Sequence, residues 1–495
     1  MPHPVETEQT MGTGIEGLDD VLGGGLTPNR LYVLEGAPGA GKTTVALQFL
    51  MEGAKRGEQV LYVTLSETAA ELEGVARSHG WDLSGIHIRE MLPSPDSLQP
   101  DEQYTMFHPS EIELSETTQR ILEDVQALSP RRIVFDSLSE LRLLSGGSLR
   151  YRRQILALKQ FFSGRQCTVL LLDDMATTHR DQQVQSIAHA VLRLEQTHSD
   201  YGAVRRRLVV VKFRGQDFRG GYHDYRIVRG GLQVFPRLVA AEHVNPVKQD
   251  KLPSGIESLD RLMGGGLERG TSTLFVGAPG TGKSTVAVQF AIAAAERGET
   301  SAVFLFDESI NTLRTRCASM GMDIERWIEA GRVHLRQVDP GEMSPGELVH
   351  LIRQAVEGDQ ASVVVIDSLN GYLNAMPDDR FLIVQLHELL TYLGQAGVAT
   401  LLVGAHHGMI GTNMQAPVDA SYLADAIVML RYFEAEGEVR QAISVMKKRG
   451  GAHERSIRAF TMDDTGLHVG EPLRNFRGVL TGVPIPLEPL PAVGQ

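Results

Sequence analysis

The sequence is poor in cysteine, in aromatic residues and in long apolar runs. Cys167 and Cys317 are its only two cysteines, and neither lies in a C-x-x-C pair. Two thiols so placed cannot build a zinc knuckle, and each reads as a small buried hydrophobe in a reducing compartment. Aromatic residues make up 6%, with no basic–aromatic stripe, so the stacking platform of a single-strand binder finds no support. Positive charge is also short: 48 Lys and Arg face 61 Asp and Glu, a formal net charge of −13. A general nucleic-acid coat needs the opposite balance. No apolar run reaches the roughly 18 residues of a membrane span. The opening MPHPVETEQT lacks a basic region followed by an apolar one, so no signal peptide is expected and the cytoplasm is the expected compartment. Apolar content of 42% and charged content of 22% suit a globular chain. Length alone suggests about three domains.

Internal repetition revises that number to two. GTGIEGLDDVLGGGL (12–26) recurs as PSGIESLDRLMGGGL (253–267), and GAPGAGKTTVALQF (36–49) as GAPGTGKSTVAVQF (277–290), both 241 residues later. Asp136 and Asp367 are 231 apart, and the segments 201–215 and 436–450 are 235 apart. An ordered but drifting offset means two copies of one domain. The first copy carries the extra residues, expected in the Pro- and Ser-rich LPSPDSLQPDEQ at 92–103. The copies are expected at 1–243 and 244–477, and the Pro-rich remainder 478–495 reads as an extended or disordered tail.

In each copy short apolar runs alternate with amphipathic segments: RLYVLEG, QVLYVTL, RRIVFDS and CTVLLLD in the first, TSTLFVG, SAVFLFD, SVVVIDS and ATLLVGA in the second. This pattern predicts an α/β fold with a mostly parallel sheet between helices, ending in a β-rich segment.

GAPGAGKTT and GAPGTGKST fit G-x-x-x-x-G-K-[ST] after a strand and before a helix. Gly36, Gly39 and Gly41, with Gly277, Gly280 and Gly282, let backbone amides turn toward phosphate oxygens at a helix N-terminus. Lys42 and Lys283 are expected at the β- and γ-phosphates of ATP, and Thr43 and Ser284 on Mg²⁺. Thr44, Thr281 and Thr285 complete the two loops. Asp136 and Asp367 end apolar strands, where each either stands near the Mg²⁺ shell or caps the next turn. Glu67 and Glu308 follow the strand after the P-loop helix, to polarise an attacking water or to cap a helix. Lys212 and Arg214, like Lys447 and Arg449, form K-x-R on a strand, with both charges on one face. They are either a solvated basic face or cations that reach a nucleotide on a neighbouring subunit. His406 and His407 read as loop histidines.

Together these residues resemble the KaiC family, ATPases of the cyanobacterial clock and their bacterial relatives. The resemblance covers about residues 10–480 and is also carried by SHGWDL (78–83), SMGMD (319–323), DSLSEL (136–141) and EPLRNFRGVLTG (471–482). It implies two tandem RecA-like domains and a homohexamer with ATP between protomers. It further implies slow hydrolysis in the first domain and hydrolysis with Ser/Thr autophosphorylation in the second. The family's paired glutamates fall on Ser66–Glu67 and on Asp307–Glu308. Its phosphoacceptor doublet falls on Ser421 and Tyr422, with Gln185 and Ser186 in the first copy. Ser421 is the expected acceptor and Tyr422 the alternative, against a capping or buried hydroxyl at Ser421. A KaiB-like partner on the first domain fits the resemblance. KaiA-type regulation is not expected, because only a short Pro-rich run follows EPLRNFRGVL. Two other functions compete: an ATP-gated scaffold without kinase activity, and a RecA/RadA-like DNA-dependent ATPase.

Overall fold

Each copy of the repeat builds one nine-stranded sheet. The computed structural model describes residues 10–91, 109–145, 147–174, 182–198, 202–243, 250–374, 379–405, 422–481 and 484–486. In the first copy the strands are β1 (Leu31–Gly36), β2 (Val60–Thr64), β3 (His87–Glu90), β4 (Arg132–Asp136), β5 (Thr168–Asp174), β6 (Ala190–Thr197), β7 (Arg205–Phe213), β8 (Tyr222–Val228) and β9 (Gly231–Phe235). Their order across the sheet is β3-β2-β4-β5-β1-β6-β7-β8-β9. Pairing is parallel from β3 to β6 and antiparallel from β6 to β9.

The second copy opens with a small ribbon, β10 (Lys251–Leu252) against β11 (Leu267–Glu268). It then repeats the plan with β12 (Ser272–Gly277), β13 (Thr300–Leu305), β14 (Val333–Gln337), β15 (Ala361–Asp367), β16 (Ala399–Ala405), β17 (Ala426–Ala435), β18 (Glu438–Lys448), β19 (Arg458–Asp463) and β20 (Gly466–Pro472). The strand order is equivalent position by position, β14-β13-β15-β16-β12-β17-β18-β19-β20. The expected α/β architecture, two RecA-like sheets between helices with a β-rich end, is therefore present.

β1 and β12 are buried along their whole length, which is why they read as unbroken apolar runs. Side chains alternate between the faces of the sheet. Tyr32 and Leu34 pack with Leu47 and Leu50 of the helix Lys42–Lys55 on one face. Leu31 and Val33 pack with Tyr151 and Ile155 of the helix Ser148–Ser163 on the other. In the second copy Phe275 packs with Phe290 of the helix Lys283–Glu296, while Leu274 and Val276 face Leu386 and Tyr392 of the helix Asp379–Gln395. Full burial of such side chains contributes about 1.5–3 kcal/mol each, so this two-sided packing fixes where β1 and β12 deliver their glycine loops.

Two details differ from expectation. The chain divides into compact units at Arg237–Leu238 rather than at residue 243. Leu238 and Ala240 are buried in the second copy's core, the Ala240 N–H donates to Glu388, and the His243 ring meets Tyr392 edge-on at 5.1 Å. The start of the tail is also folded. Val479 is buried with Phe433 and Ala442, and β21 (Phe476–Arg477) pairs with β22 (Ile485–Pro486). The expected insertion at 92–103, His406 and His407 lie outside the described residues.

Candidate nucleotide sites

In an open α/β sheet, ligands bind at the carboxyl ends of the strands. Those ends carry nearly all the residues singled out above. Gly36 closes β1 and Gly277 closes β12; each runs into its glycine loop and then a helix. The helix N-caps, Gly41 at φ 97° and Gly282 at φ 93°, are left-handed and provide no side-chain cap. Their orphan amides therefore remain available to an anion. Gly39 (φ 78°) and Gly280 (φ 80°) share this conformation. A Cβ on Gly280 would lie 2.7 Å from the Tyr432 hydroxyl, and one on Gly282 would lie 2.6 Å from the Met462 sulfur.

The two lysines have different surroundings. Lys42 Nζ donates to the carbonyls of Gly36 at 2.8 Å and Ala37 at 3.2 Å, and forms an ion pair with Asp174 at 2.7 Å. Lys283 Nζ donates to the Ala278 carbonyl at 2.8 Å. Ala405 occupies the position of Asp174, since Gly277 pairs with Ala405 where Gly36 pairs with Asp174. Burial pushes the Lys283 amine down to about 8, and Asp367 works against that shift.

Asp136 and Asp367 are buried at the ends of β4 and β15. Burial raises both carboxyls above the usual range, while the nearby hydroxyls of Thr43 and Ser284 act in the lowering direction. Asp136 Oδ2 also accepts from the Tyr62 hydroxyl at 2.6 Å. Asp367 Oδ2 is buried with no partner among the described residues. One carboxylate beside one hydroxyl is the hard oxygen set from which Mg²⁺, completed by phosphate and water, is usually held. The residues present thus fit that ion.

Glu67 is half-buried, and its Oε2 is shielded from solvent without a partner among the described residues. Burial first, then Asp136, raises its carboxyl above the usual range. It does not cap the following helix: Thr68 does, in a capping box with Glu71. In the second copy Ser309 is the cap. Glu308 is gripped by Arg316, Nε to Oε1 at 3.1 Å and Nη2 to Oε2 at 2.7 Å. The third arm of that guanidinium, Nη1, donates to the Thr285 hydroxyl at 2.6 Å. Asp307 accepts from the Ser368 hydroxyl. Thr44 is buried, and Thr281 is fully buried, donating to the Ala278 carbonyl at 2.8 Å.

The K-x-R pairs lie at the end of the antiparallel strands β7 and β18. Lys212 donates to the Gln185 carbonyl, and Arg214 to that of Ser186 at 2.7 Å. Lys447 donates to Ala424 O at 2.7 Å, and Arg449 to Tyr422 O at 2.8 Å. Both pairs therefore hold the segment leading into β6 or β17. The two arginine bonds align Ser186 with Tyr422, whereas the two lysine bonds fall on positions that do not correspond. Tyr422 is exposed. Ser421 lies outside the described residues.

A cavity of about 800 Å³ opens beside the second glycine loop, with Lys283, Ser284, Glu308, Arg316 and Asp367 on its wall. Three residues of these sites escaped the motif search: Asp174, Arg316 and Tyr62. The first two were visible in the repeat, because Asp174 faces Ala405 at the offset of 231 and Arg316 faces Val75 at the offset of 241.

Comparison with known proteins points the same way. The family model described as "ATPase: KaiC" matches residues 11–239 and 252–474. The chain is 28% identical to the circadian clock protein KaiC3 of Synechocystis sp. over 96% of its own length and 95% of that protein's. It is 28% identical to the circadian clock oscillator protein KaiC of Synechococcus elongatus, covering 96% of this chain and 91% of that one. For the KaiC of Picosynechococcus sp. the identity is 27%, over 96% and 92%. No described helix is long and apolar enough to cross a membrane. With a match over both copies and the glycine loops built on both sheets, the chain belongs to the KaiC family of duplicated ATPases.

Proposed function

We propose that the chain binds Mg²⁺-ATP in both copies, assembles as a homohexamer with nucleotide between protomers, hydrolyses ATP in the first copy and autophosphorylates Ser421 in the second. The cavity beside the second glycine loop carries this reading, because about 800 Å³ lies within the range of small-ligand sites and its wall joins Lys283, Asp367, Asp307 and Glu308. The amides of residues 280–285 and Lys283 hold the phosphates. The hydroxyl of Ser284 and the free oxygen of Asp367 hold Mg²⁺, which when bound spreads the charge of the β- and γ-phosphates. Transfer forms a bond from the serine oxygen to the γ-phosphorus and breaks the bond to the β–γ bridging oxygen, so ADP leaves. The serine proton passes to the Asp307–Glu308 pair. In the first copy Glu67 takes the proton of an attacking water. The K-x-R cations lie at the end of their sheet and stabilise charge on a neighbour's γ-phosphate, exchanging their backbone partners for it. A KaiB-like protein is the partner this reading favours.

The exposed Tyr422 beside the acceptor favours a second reading, an ATP-gated scaffold without covalent phosphate. Incubation with Mg²⁺-ATP followed by peptide mass spectrometry separates the two. A phosphate on Ser421 that disappears in Lys283→Ala supports the kinase. Phosphate release with no modified peptide favours the scaffold.

A further inference from the structure

We infer that Arg316 is a positioning residue that withholds Glu308 from activating water, so that ATP bound in the second copy survives long enough to reach another acceptor. The inference rests on the proposed second-copy nucleotide site and adds a residue that the family motifs do not contain.

Both oxygens of Glu308 are engaged by the same guanidinium, in the planar fork that Arg forms with a carboxylate. The side chains of the pair are only 24% and 22% exposed, so solvent screens it less than a surface ion pair. Its third bond, to Thr285, fixes the guanidinium to the first turn of the glycine-loop helix. Arg316 cannot swing away without leaving that hydroxyl. Each oxygen of Glu308 keeps a further lone-pair site, but any water there must be taken up by a carboxylate whose orientation and charge are already committed to the guanidinium.

The first copy shows the same position without the clamp. Val75 stands where Arg316 stands, packed on the apolar core. Among the described residues one buried oxygen of Glu67 has no partner, and burial first, then Asp136, favours its protonated form. A carboxylate held in this way is the better proton acceptor from water. In the second copy Asp307 is bonded to the Ser368 hydroxyl and, among the described residues, is not paired with an arginine.

The test uses the full chain with Lys42→Ala, so that only the second site turns over. Arg316→Val, which installs the first copy's residue, should raise phosphate release roughly tenfold with little change in KM, a modest part of what a positioned base supplies. Glu308→Gln added to Arg316→Val should abolish the gain. Arg316→Lys, which keeps a cation there, should stay slow. The converse variant, Val75→Arg with Lys283→Ala, should slow the first site and serves if Arg316→Val is unstable. An unchanged or slower rate in Arg316→Val with ATP binding intact overturns the inference, as does an unaltered rate in Val75→Arg. If the Lys42→Ala chain binds no ATP at all, the failure belongs to the proposed second nucleotide site and not to Arg316.

Discussion

At the end of the fifth strand of each sheet the chain carries a different residue, Asp174 in the first copy and Ala405 in the second. About two turns into the helix after the second strand it differs again, Val75 against Arg316. The outcome is a crossed arrangement. Among the described residues, the first copy's glycine-loop lysine is tied by an ion pair and its glutamate is not; in the second the glutamate is tied and the lysine is not. The layer beneath the loops diverges too. Glu35, buried on β1, bonds Arg193 and Gln185, whereas Val276 and Met429 occupy the paired positions of the second copy. A buried ionic cluster adds little net stability over apolar packing, because desolvation offsets its Coulomb gain. Stability therefore does not explain the difference. What the pair teaches is that duplication kept the backbone geometry of the glycine loops and let the charges around them diverge.

The largest expected effect breaks one site and leaves the other. Lys42→Ala and Lys283→Ala each remove charge-assisted bonds worth about 1.5–3 kcal/mol, or roughly ten- to 150-fold in affinity at the site they belong to. Isothermal titration with Mg²⁺-ATP should find two sites per chain in the wild type and one in each variant. The two remaining sites should differ in pH response. Lys283 loses its proton near pH 8 in the free protein, so second-site binding should weaken as pH rises through 8. The first site, whose Lys42 is paired with Asp174, serves as the comparison over that range. Equal pH profiles at the two sites would show that the lysine environments do not separate them.

A second contrast lies on the eighth strand. His223 pairs with Leu208 in the first sheet as Arg458 pairs with Ile443 in the second. The buried His223 accepts the Arg237 N–H on Nδ1 at 2.8 Å and donates from Nε2 to the Arg219 carbonyl at 2.8 Å. A second proton would destroy the first bond, and burial drives the imidazole down to about 4. Between pH 6.5 and 4 the unfolded chain binds a proton that the folded chain refuses. Stability is then present above 6.5 and is lost as pH falls through that window, by up to about 3 kcal/mol. At the matching position the second copy has an arginine and no imidazole. Peptide-resolved hydrogen exchange should find the first copy opening before the second on acidification, and His223→Gln should remove the difference. Simultaneous opening in the wild type argues that other groups control acid unfolding.

Much of the fold was legible because the repeat supplied two readings of every element. The unbroken apolar runs of β1 and β12, each followed by a glycine loop, announced buried parallel strands and a phosphate cradle. Less legible was everything set by side chains meeting across elements. Arg316 reaches Glu308 across eight residues and Thr285 from another helix, and no motif encodes such a meeting. Tyr62 bonds Asp136 because β2 and β4 are neighbours in the sheet, although 74 residues separate them in the chain. Glu67 and Thr68 showed the limit of local rules: either could cap the next helix, and the geometry of the turn chose the threonine. The boundary near 243 was misplaced for a related reason. Repeat similarity marks where the copies align, whereas Leu238 and Ala240 follow the core that buries them.

The smallest expected effect concerns Asp174. Its carboxylate is 40% exposed, so its hold on Lys42 is partly screened and is worth well under the value of a buried pair. ATP must displace it, because the same amine is needed at the phosphates. Asp174→Ala, which writes the second copy's residue into the first, therefore removes a competitor and should tighten first-site ATP binding a few-fold, the equivalent of about 0.5–1 kcal/mol. The Lys283→Ala background isolates that site, and titration measures the affinity while phosphate release measures turnover. Tighter binding with turnover unchanged identifies Asp174 as a latch on the empty site. Weaker binding, or turnover lost at unchanged affinity, means instead that the carboxylate faces the nucleotide's metal or its attacking water. In that case the two copies would differ in their chemistry at this strand end, and not only in the poise of the lysine.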